Sequence, residues 1–270
     1  MPVSELHDID QIREYLTRDR VGNAYLIGDL DEAYLPYCAW YGLLGDGGDI
    51  EALALLYSGL SVPVLLPVGP GDLAAANKSF DVLFPAIRPT LPPRFWVHAR
   101  EHQRPALDKH FHTQHLQRMI RMSLEQSDYD GPEISAPVRA LSHQDTASIM
   151  QLYHFYPDNF FEPYQLESGL YFGVDKPEGK GLAAIAGVHV FSEAHDIAAI
   201  GNLVAHPNYR RRGYATAVTA TLLGKLFESM ALVTLNVQEG NAPAIGTYEK
   251  FGFSQHHVYY EGMVDVEKPF

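Results

Sequence analysis

Cysteine is nearly missing from this 270-residue chain. Its single copy, Cys38, cannot form an internal disulfide, and no Cys/His spacing resembles a zinc site. Basic residues are also scarce, with 20 Lys and Arg against 33 Asp and Glu and a formal net charge of -13. That balance excludes general nucleic-acid binding, which needs a broad basic surface to displace counterions. No apolar run approaches the ~20 residues of a membrane span, so membrane partners are not expected. The N-terminus, MPVSELHDIDQIREY, carries acids where a signal peptide carries a basic region, which predicts a cytoplasmic protein. No metal role is indicated.

The chain's length favours two domains of ordinary size. The stretch SDYDGPEISAP, Ser127 to Pro137, has the composition of a linker, and the boundary is placed there, giving domains 1–130 and 138–270. In the first half, DIDQIREYLTRDRVGNAYLIGDL reads as helical, and CAWYGLL, IEALALLYSG and VPVLLPVG read as strands. GDLAAANKSFDVLFPAI follows as a helix, RFWVHAR as a strand, ALDKHFH as a short helix and LQRMIRMSL as a strand.

In the second half, VRALS reads as a strand, HQDTASIMQLYHFY as a helix, NFFEPYQLESG as a loop with helix, and LYFGVD, GLAAIAGVHVF and IAAIGNLVAH as strands. YATAVTATLLGKLFESM spaces Ala215, Val218, Leu222, Leu226 and Met230 at helical steps. ALVTLNVQ is a strand, APAIGTYEKF a helix stopped by Gly252, and HHVYYEGMV the last strand. The expected fold is α/β or α+β, with a mixed central sheet flanked by helices. Both halves show the same order of elements, a faint internal repeat with little residue identity.

Within this acidic chain, NYRRRGYAT, Asn208 to Thr216, sets three arginines just before a helix N-terminus, where the macrodipole disfavours cations. A strand entering a helix through a glycine turn presents unpaired backbone N–H groups, and the arginines become counter-charges if an anion sits there. Gly213 and the small Ala215 let the backbone approach a phosphate closely. Neither G-x-x-x-x-G-K-[ST] nor G-x-G-x-x-G occurs in this region, so the two best-known phosphate motifs are excluded.

Arg210-x-x-Gly213-x-Ala215, after a strand ending in His206-Pro207, resembles the acyl-CoA pyrophosphate loop of the GNAT N-acyltransferase superfamily, [QR]-x-x-G-x-[GA]. Asn241-Ala-Pro-Ala-Ile-Gly-Thr-Tyr248-Glu-Lys-Phe-Gly-Phe253 resembles that superfamily's later N-x-x-A-x-x-x-Y-x-x-x-G-F segment. The likeness covers roughly Val138 to Val264 and has the flavour of the glycine-N-acyltransferase-like branch, which carries an N-terminal partner domain. It implies tandem GNAT-like domains, the first degenerate and the second catalytic.

The resemblance further implies acetyl-CoA as co-substrate, with coenzyme A bound by Leu203, Val204 and Ala205 through backbone groups. Arg210, Arg211, Arg212, Gly213, Tyr214, Ala215 and Thr216 would cradle the pyrophosphate, and Asn241 would touch the cofactor. Tyr248 would protonate the departing thiolate, a sensible task for a phenol in a site that excludes water. The implied partner is a small-molecule or peptide amine acceptor, and a homodimer is compatible. A non-catalytic acyl-CoA-binding regulator and a transferase of longer acyl groups are the rival readings.

Direct attack by an amine also requires a proton acceptor. The family's glutamate positions correspond to Ala199 and Asn236, neither of which takes a proton usefully, leaving Glu162, His189, Glu193, His195 and Glu239 as candidates. In the first half, Pro67 to Asp72 stands where a second phosphate loop would fall, but without arginine and with two prolines, so no coenzyme A binding is expected there. Asn23, Asp29 and Asp31 either shape an acceptor pocket or serve as caps, and Trp40 and Trp96 read as core.

Overall fold

The computed structural model describes residues 2–156 and 161–267, so Asn159 and Phe160 of the expected loop-helix segment lie outside the described residues. The first elements in the chain are β1 (Val3–Glu5), α1 (Ile9–Leu16), α2 (Ala24–Gly28), β2 (Cys38–Leu44) and β3 (Ile50–Tyr57). Then come β4 (Val64–Val68), α3 (Leu73–Ile87), β5 (Arg94–Arg100), α4 (Arg104–His110), β6 (His112–Thr113) and β7 (Gln117–Glu125). The second half contributes β8 (Val138–Ala140), α5 (Thr146–Tyr153), β9 (Phe172–Asp175), β10 (Leu182–Ser192) and β11 (Ile197–Ala205). It ends with α6 (Tyr214–Leu226), β12 (Leu232–Gln238), α7 (Ala242–Lys250) and β13 (Ser254–Asp265).

The order of elements repeats. β1 to β4 pair antiparallel in sequence, and α3 carries the chain over to β5, which lies parallel to β4. β8 to β11 likewise pair antiparallel in sequence, and α6 leads to β12, parallel to β11. Parallel neighbours demand such a crossover, because a tight turn can only reverse the chain.

Compactness does not follow the linker. One unit comprises residues up to 121 together with 238–240 and the stretch from 256 onward; the other comprises 122–237 and 241–255. The expected division at 127–137 therefore differs from the one observed. The physical reason is pairing: Tyr259 to Asp265 of β13 run antiparallel to Arg100 to Arg94 of β5, so the last strand completes the sheet of the first unit. Linker composition reports local chain character and carries no information about which strand closes which sheet.

The first unit's core gathers Leu43, Leu65, Phe80, Phe84, Phe95 and Val97, with Phe80 stacked on Phe84 at 4.9 Å. Each such burial contributes about 1.5–3 kcal/mol. The expected long helix over 8–30 is interrupted. Asp19 Oδ1 accepts from Gly22 N–H at 2.9 Å, a side-chain bond that competes with the helical one, and a 3₁₀ turn at Thr17–Asp19 separates α1 from α2. In the second unit α6 lies on β9, β10 and β11, and α5 on β10 and β11. Val218, Leu222 and Leu226 face the core while Ala215 is exposed, so the stripe read from the sequence holds from Val218 onward.

Candidate functional site

The second unit's sheet opens at one point. β11 and β12 pair from Ile197↔Leu232 to Ile200↔Leu235, and the described residues show no pair beyond. Up to Ile200 and Leu235 both strands are buried; past them Gly201, Leu203 and Ala205 on β11 and Asn236 on β12 become partly exposed. Val204 and Ala205 remain paired to Ile185 and Ala184 of β10, so the other edge of β11 turns to the opening. A strand edge of this kind offers backbone groups that an extended amide-bearing ligand can pair with.

Two bulges shape this end of β11. The partners Ile185↔Val204 and Gly187↔Gly201 advance two residues on β10 and three on β11, which puts an extra residue on β11 at Asn202 or Leu203. The next step reverses it: Val188↔Ile200 and Val190↔Ala199 put the extra residue His189 on β10. Asn202 takes φ 55°, a left-handed value that asparagine tolerates better than most residues. Its amide is buried and bonded throughout, accepting from Tyr153 and donating to Gln165 Oε1 at 3.2 Å and to the Tyr171 hydroxyl at 2.6 Å.

Beyond Ala205 the chain makes the arginine turn. His206 is buried, takes Asn208 N–H on Nδ1 at 3.2 Å, and meets Phe155 and Tyr209 edge-on. Arg211 (φ 59°) and Gly213 (φ 77°) are both left-handed. Left-handed residues are components of backbone nests, in which successive amides face a common point. Gly213 is the N-cap of α6 and supplies no side-chain cap, whereas Asp8, Asp72 and Asn241 cap α1, α3 and α7. The first amides of α6, at Tyr214, Ala215 and Thr216, thus keep their donor capacity for an anion.

The three arginines divide. Arg211 and Arg212 are exposed, with Arg212 over the Tyr209 ring beside a cavity of about 410 Å³ lined by Pro177, Glu178, Asn208, Tyr209 and Arg212. Arg210 instead donates to the Tyr156 hydroxyl at 2.8 Å. Tyr248, on α7, is buried and stacked edge-on against Phe253. Burial pushes its phenol well above the ordinary tyrosine range, so it keeps its proton at neutral pH. Asn241 is exposed, and its Oδ1 accepts from Ala244 N–H at 3.3 Å, so it holds the start of α7.

Among the proton-acceptor candidates, Glu193 and His195 stand in the turn that joins β10 to β11. The six steps from Ile197 to Leu203 set that turn roughly 20 Å from the far end of the opening at ~3.3 Å per residue. Glu239 is ion-paired with Arg118 at 2.9 Å, and Glu162 opens the 3₁₀ turn Pro163–Ser168, its N–H donating to Gln165 Oε1 at 3.1 Å. Among the described residues no group of three or more His, Cys, Asp or Glu could hold a metal. No helix of theirs is long and apolar enough to cross a membrane.

In the first unit, β4 and β5 pair only at Val64↔Trp96 and Leu65↔Val97. There the gap is stoppered. Fully buried Gln103 donates to the Pro67 carbonyl at 3.1 Å and accepts from Arg100 N–H at 2.8 Å, so these two backbone groups bordering the gap are already taken. Asn23 is bound to the Leu16 carbonyl and to Arg100, Asp31 closes a turn with Ala33 N–H, and Trp40 is core. Gly201, Asn202, Tyr153 and Tyr156 escaped the reading of motifs. The lone glycine inside the apolar run IAAIGNLVA was the available signal, since such a glycine marks a bulge or a close approach.

Residues 139–253 match the model of the Acetyltransferase (GNAT) family. Among solved structures, a putative GNAT acetyltransferase of Novosphingobium aromaticivorans aligns at TM-score 0.62 and 16% identity, over 93% of this chain and 100% of that one. A GCN5-related N-acetyltransferase of Sphaerobacter thermophilus aligns at 0.65 and 14%, over 100% and 96%. A tandem GNAT protein from the clavulanic acid biosynthesis pathway aligns at 0.57 and 13%, over 100% and 99%. No curated protein matches. At such identities the structural likeness speaks for the fold; over 139–253 the chain is similar to the GNAT acetyltransferase family, and that match supports an acyl-CoA-dependent N-acyltransferase.

Proposed function

We propose that the protein transfers an acetyl group from acetyl-CoA to a primary amine, on a small molecule or a peptide, by direct attack within a ternary complex. The observation that carries this reading is the uncapped N-terminus of α6, approached through left-handed Arg211 and Gly213, beside the opening between β11 and β12. Amides of Arg211 to Thr216 would hold the pyrophosphate, and the backbone of Leu203 to Ala205 would pair with the pantetheine arm. The exposed guanidinium groups of Arg211 and Arg212 would add charge. Catalysis would rest mainly on holding amine and thioester together and on strand N–H groups that stabilise the developing oxyanion.

Tyr248 would donate its proton to the leaving thiolate. Burial raises the phenol's pKa, and the same dry surroundings would penalise the thiolate, so donor and acceptor would rise together. No cysteine lies in the second half, so a cysteinyl acyl-enzyme has no residue to form on. Ala199 and Asn236 at the family's glutamate positions favour a second reading, a regulator that binds acyl-CoA without turning it over.

Tyr248→Phe separates the two. The enzyme reading expects kcat for acetyl transfer to fall about 10²-fold or more with acetyl-CoA affinity unchanged. Wild-type protein that binds acetyl-CoA yet releases no thiol with any amine in a broad screen would favour the regulator.

A further inference from the structure

The reaction proposed above lacks a proton acceptor, and the sheet supplies a residue at the right place. His189 is the bulged residue of β10, inserted between Val188↔Ile200 and Val190↔Ala199. Its predecessors in the strand, Leu182 to Val188, are all buried, whereas His189 is partly exposed. The ring lies across Gly201. A Cβ built on that glycine would come within 2.2 Å of His189 Cε1, 2.4 Å of Nε2 and 2.7 Å of Nδ1. The nitrogen-bearing edge of the imidazole therefore covers the first residue of β11 past the last pair with β12, at the apex of the opening.

We propose that His189 takes the proton from the attacking amine, with Asn202 fixing its tautomer. The inference rests on the acetyltransferase reading of this opening.

Hydrogen-bond accounting sets the tautomer. Both hydrogens of Asn202 Nδ2 are committed, to Gln165 Oε1 and the Tyr171 hydroxyl, while Oδ1 accepts from Tyr153. Bonded to the Asn202 side chain, His189 must donate its ring N–H to Oδ1, and the opposite nitrogen then carries the lone pair. This is the logic by which an orienting partner prepares an imidazole as a base. Burial holds His189 below the ordinary imidazole range, so the ring is neutral at physiological pH. Among the described residues, Asn202 is bonded to the phenols of Tyr153 on α5 and Tyr171 before β9 and to the Gln165 amide, none of them charged at that pH.

The steps balance. The amine enters as an ammonium and loses one proton to solvent. Its nitrogen forms the C–N bond, its second proton passes to His189, and the C–S bond breaks with the electron pair on sulfur. Tyr248 supplies the proton that makes the thiol. The imidazolium then returns a proton to the tyrosinate through solvent, leaving amide, thiol and one net proton.

The test combines calorimetric titration of acetyl-CoA with thiol-release kinetics across pH 5–9, using the best amine of a screen and, in parallel, water as acceptor. His189→Gln is expected to bind acetyl-CoA within about 2-fold of wild type while kcat falls ~10²–10⁴-fold, the usual worth of a positioned base. Its rate should also lose the rise on the acidic side. Asn202→Asp should move that rise to higher pH, because a carboxylate partner stabilises the imidazolium; a merely structural Asn202 would leave the profile's position unchanged. Full kcat with an intact acidic limb in His189→Gln overturns the proposal. Failure of the wild type to bind acetyl-CoA at all would overturn the reading of the opening itself, and this inference with it.

Discussion

Arg210 and Ala205 are joined through one hydroxyl: Arg210 Nη2 donates to Tyr156 Oη at 2.8 Å, and Tyr156 Oη donates to the Ala205 carbonyl at 2.5 Å. The first arginine of the motif thereby tethers α5's C-terminal extension to the end of β11, and its guanidinium is engaged before any ligand arrives. Charge on the anion then falls to the backbone and to Arg211 and Arg212.

Replacement of Arg210 by Ala should consequently weaken acetyl-CoA binding by less than about 3-fold. Tyr156→Phe, which strips a hydrogen bond from the Ala205 carbonyl, should lower stability by about 1 kcal/mol in urea unfolding. A tenfold or larger loss of affinity in Arg210→Ala would return that residue to the phosphate.

Arg211 sits at φ 59° without the freedom of glycine. A non-glycine residue held there costs about 1 kcal/mol or more. Arg211→Gly should recover part of that cost and stabilise the protein modestly in denaturant, while losing affinity for acetyl-CoA. A variant more stable and also tighter-binding would show that the strain is unrelated to ligand recognition.

The first unit contains a buried acid. Asp29 is 5% exposed, and burial lifts its carboxyl to about 8. In the unfolded chain the group titrates near pH ~3.9. The folded state thus binds the proton more tightly, and the stability it gains below pH ~4 is lost progressively as pH rises toward 8. Asp29→Asn should flatten the decline between those limits and leave the mutant more stable than wild type near pH 8. Identical pH profiles for the two proteins would contradict the assignment.

Much of the fold was legible locally. CAWYGLL and RFWVHAR coincide with β2 and β5, and Asp72, at the start of the segment read as a helix, caps α3, because such patterns are properties of adjacent residues. β1, three residues long, has too few positions to show a period. The interruption at Asp19 to Gly22 depends on a side chain outbidding the helix for one amide, which periodicity ignores. Destination was invisible too: nothing in HHVYYEGMV says that it will pair with RFWVHAR.

The same limit applies to the site. Gly213 and Ala215 are readable as a phosphate approach because the requirement is carried by the residues themselves. His189 stood out no more than His195, six residues later, until register placed one over Gly201 and the other in the hairpin turn. Side-chain chemistry was in the sequence; which side chains share an opening was decided by two compensating bulges.

The most direct test of the account is calorimetric titration of acetyl-CoA into wild type and an Arg211→Glu/Arg212→Glu variant, at one low salt concentration. The account predicts saturable binding to the wild type at one site per chain and a loss of at least ~10-fold in the variant, since two charge reversals beside a polyanion cost well over the 1.4 kcal/mol that a factor of ten represents. Equal affinity in both proteins, or no heat of binding to the wild type, would contradict the claim that the N-terminus of α6 is the anion cradle.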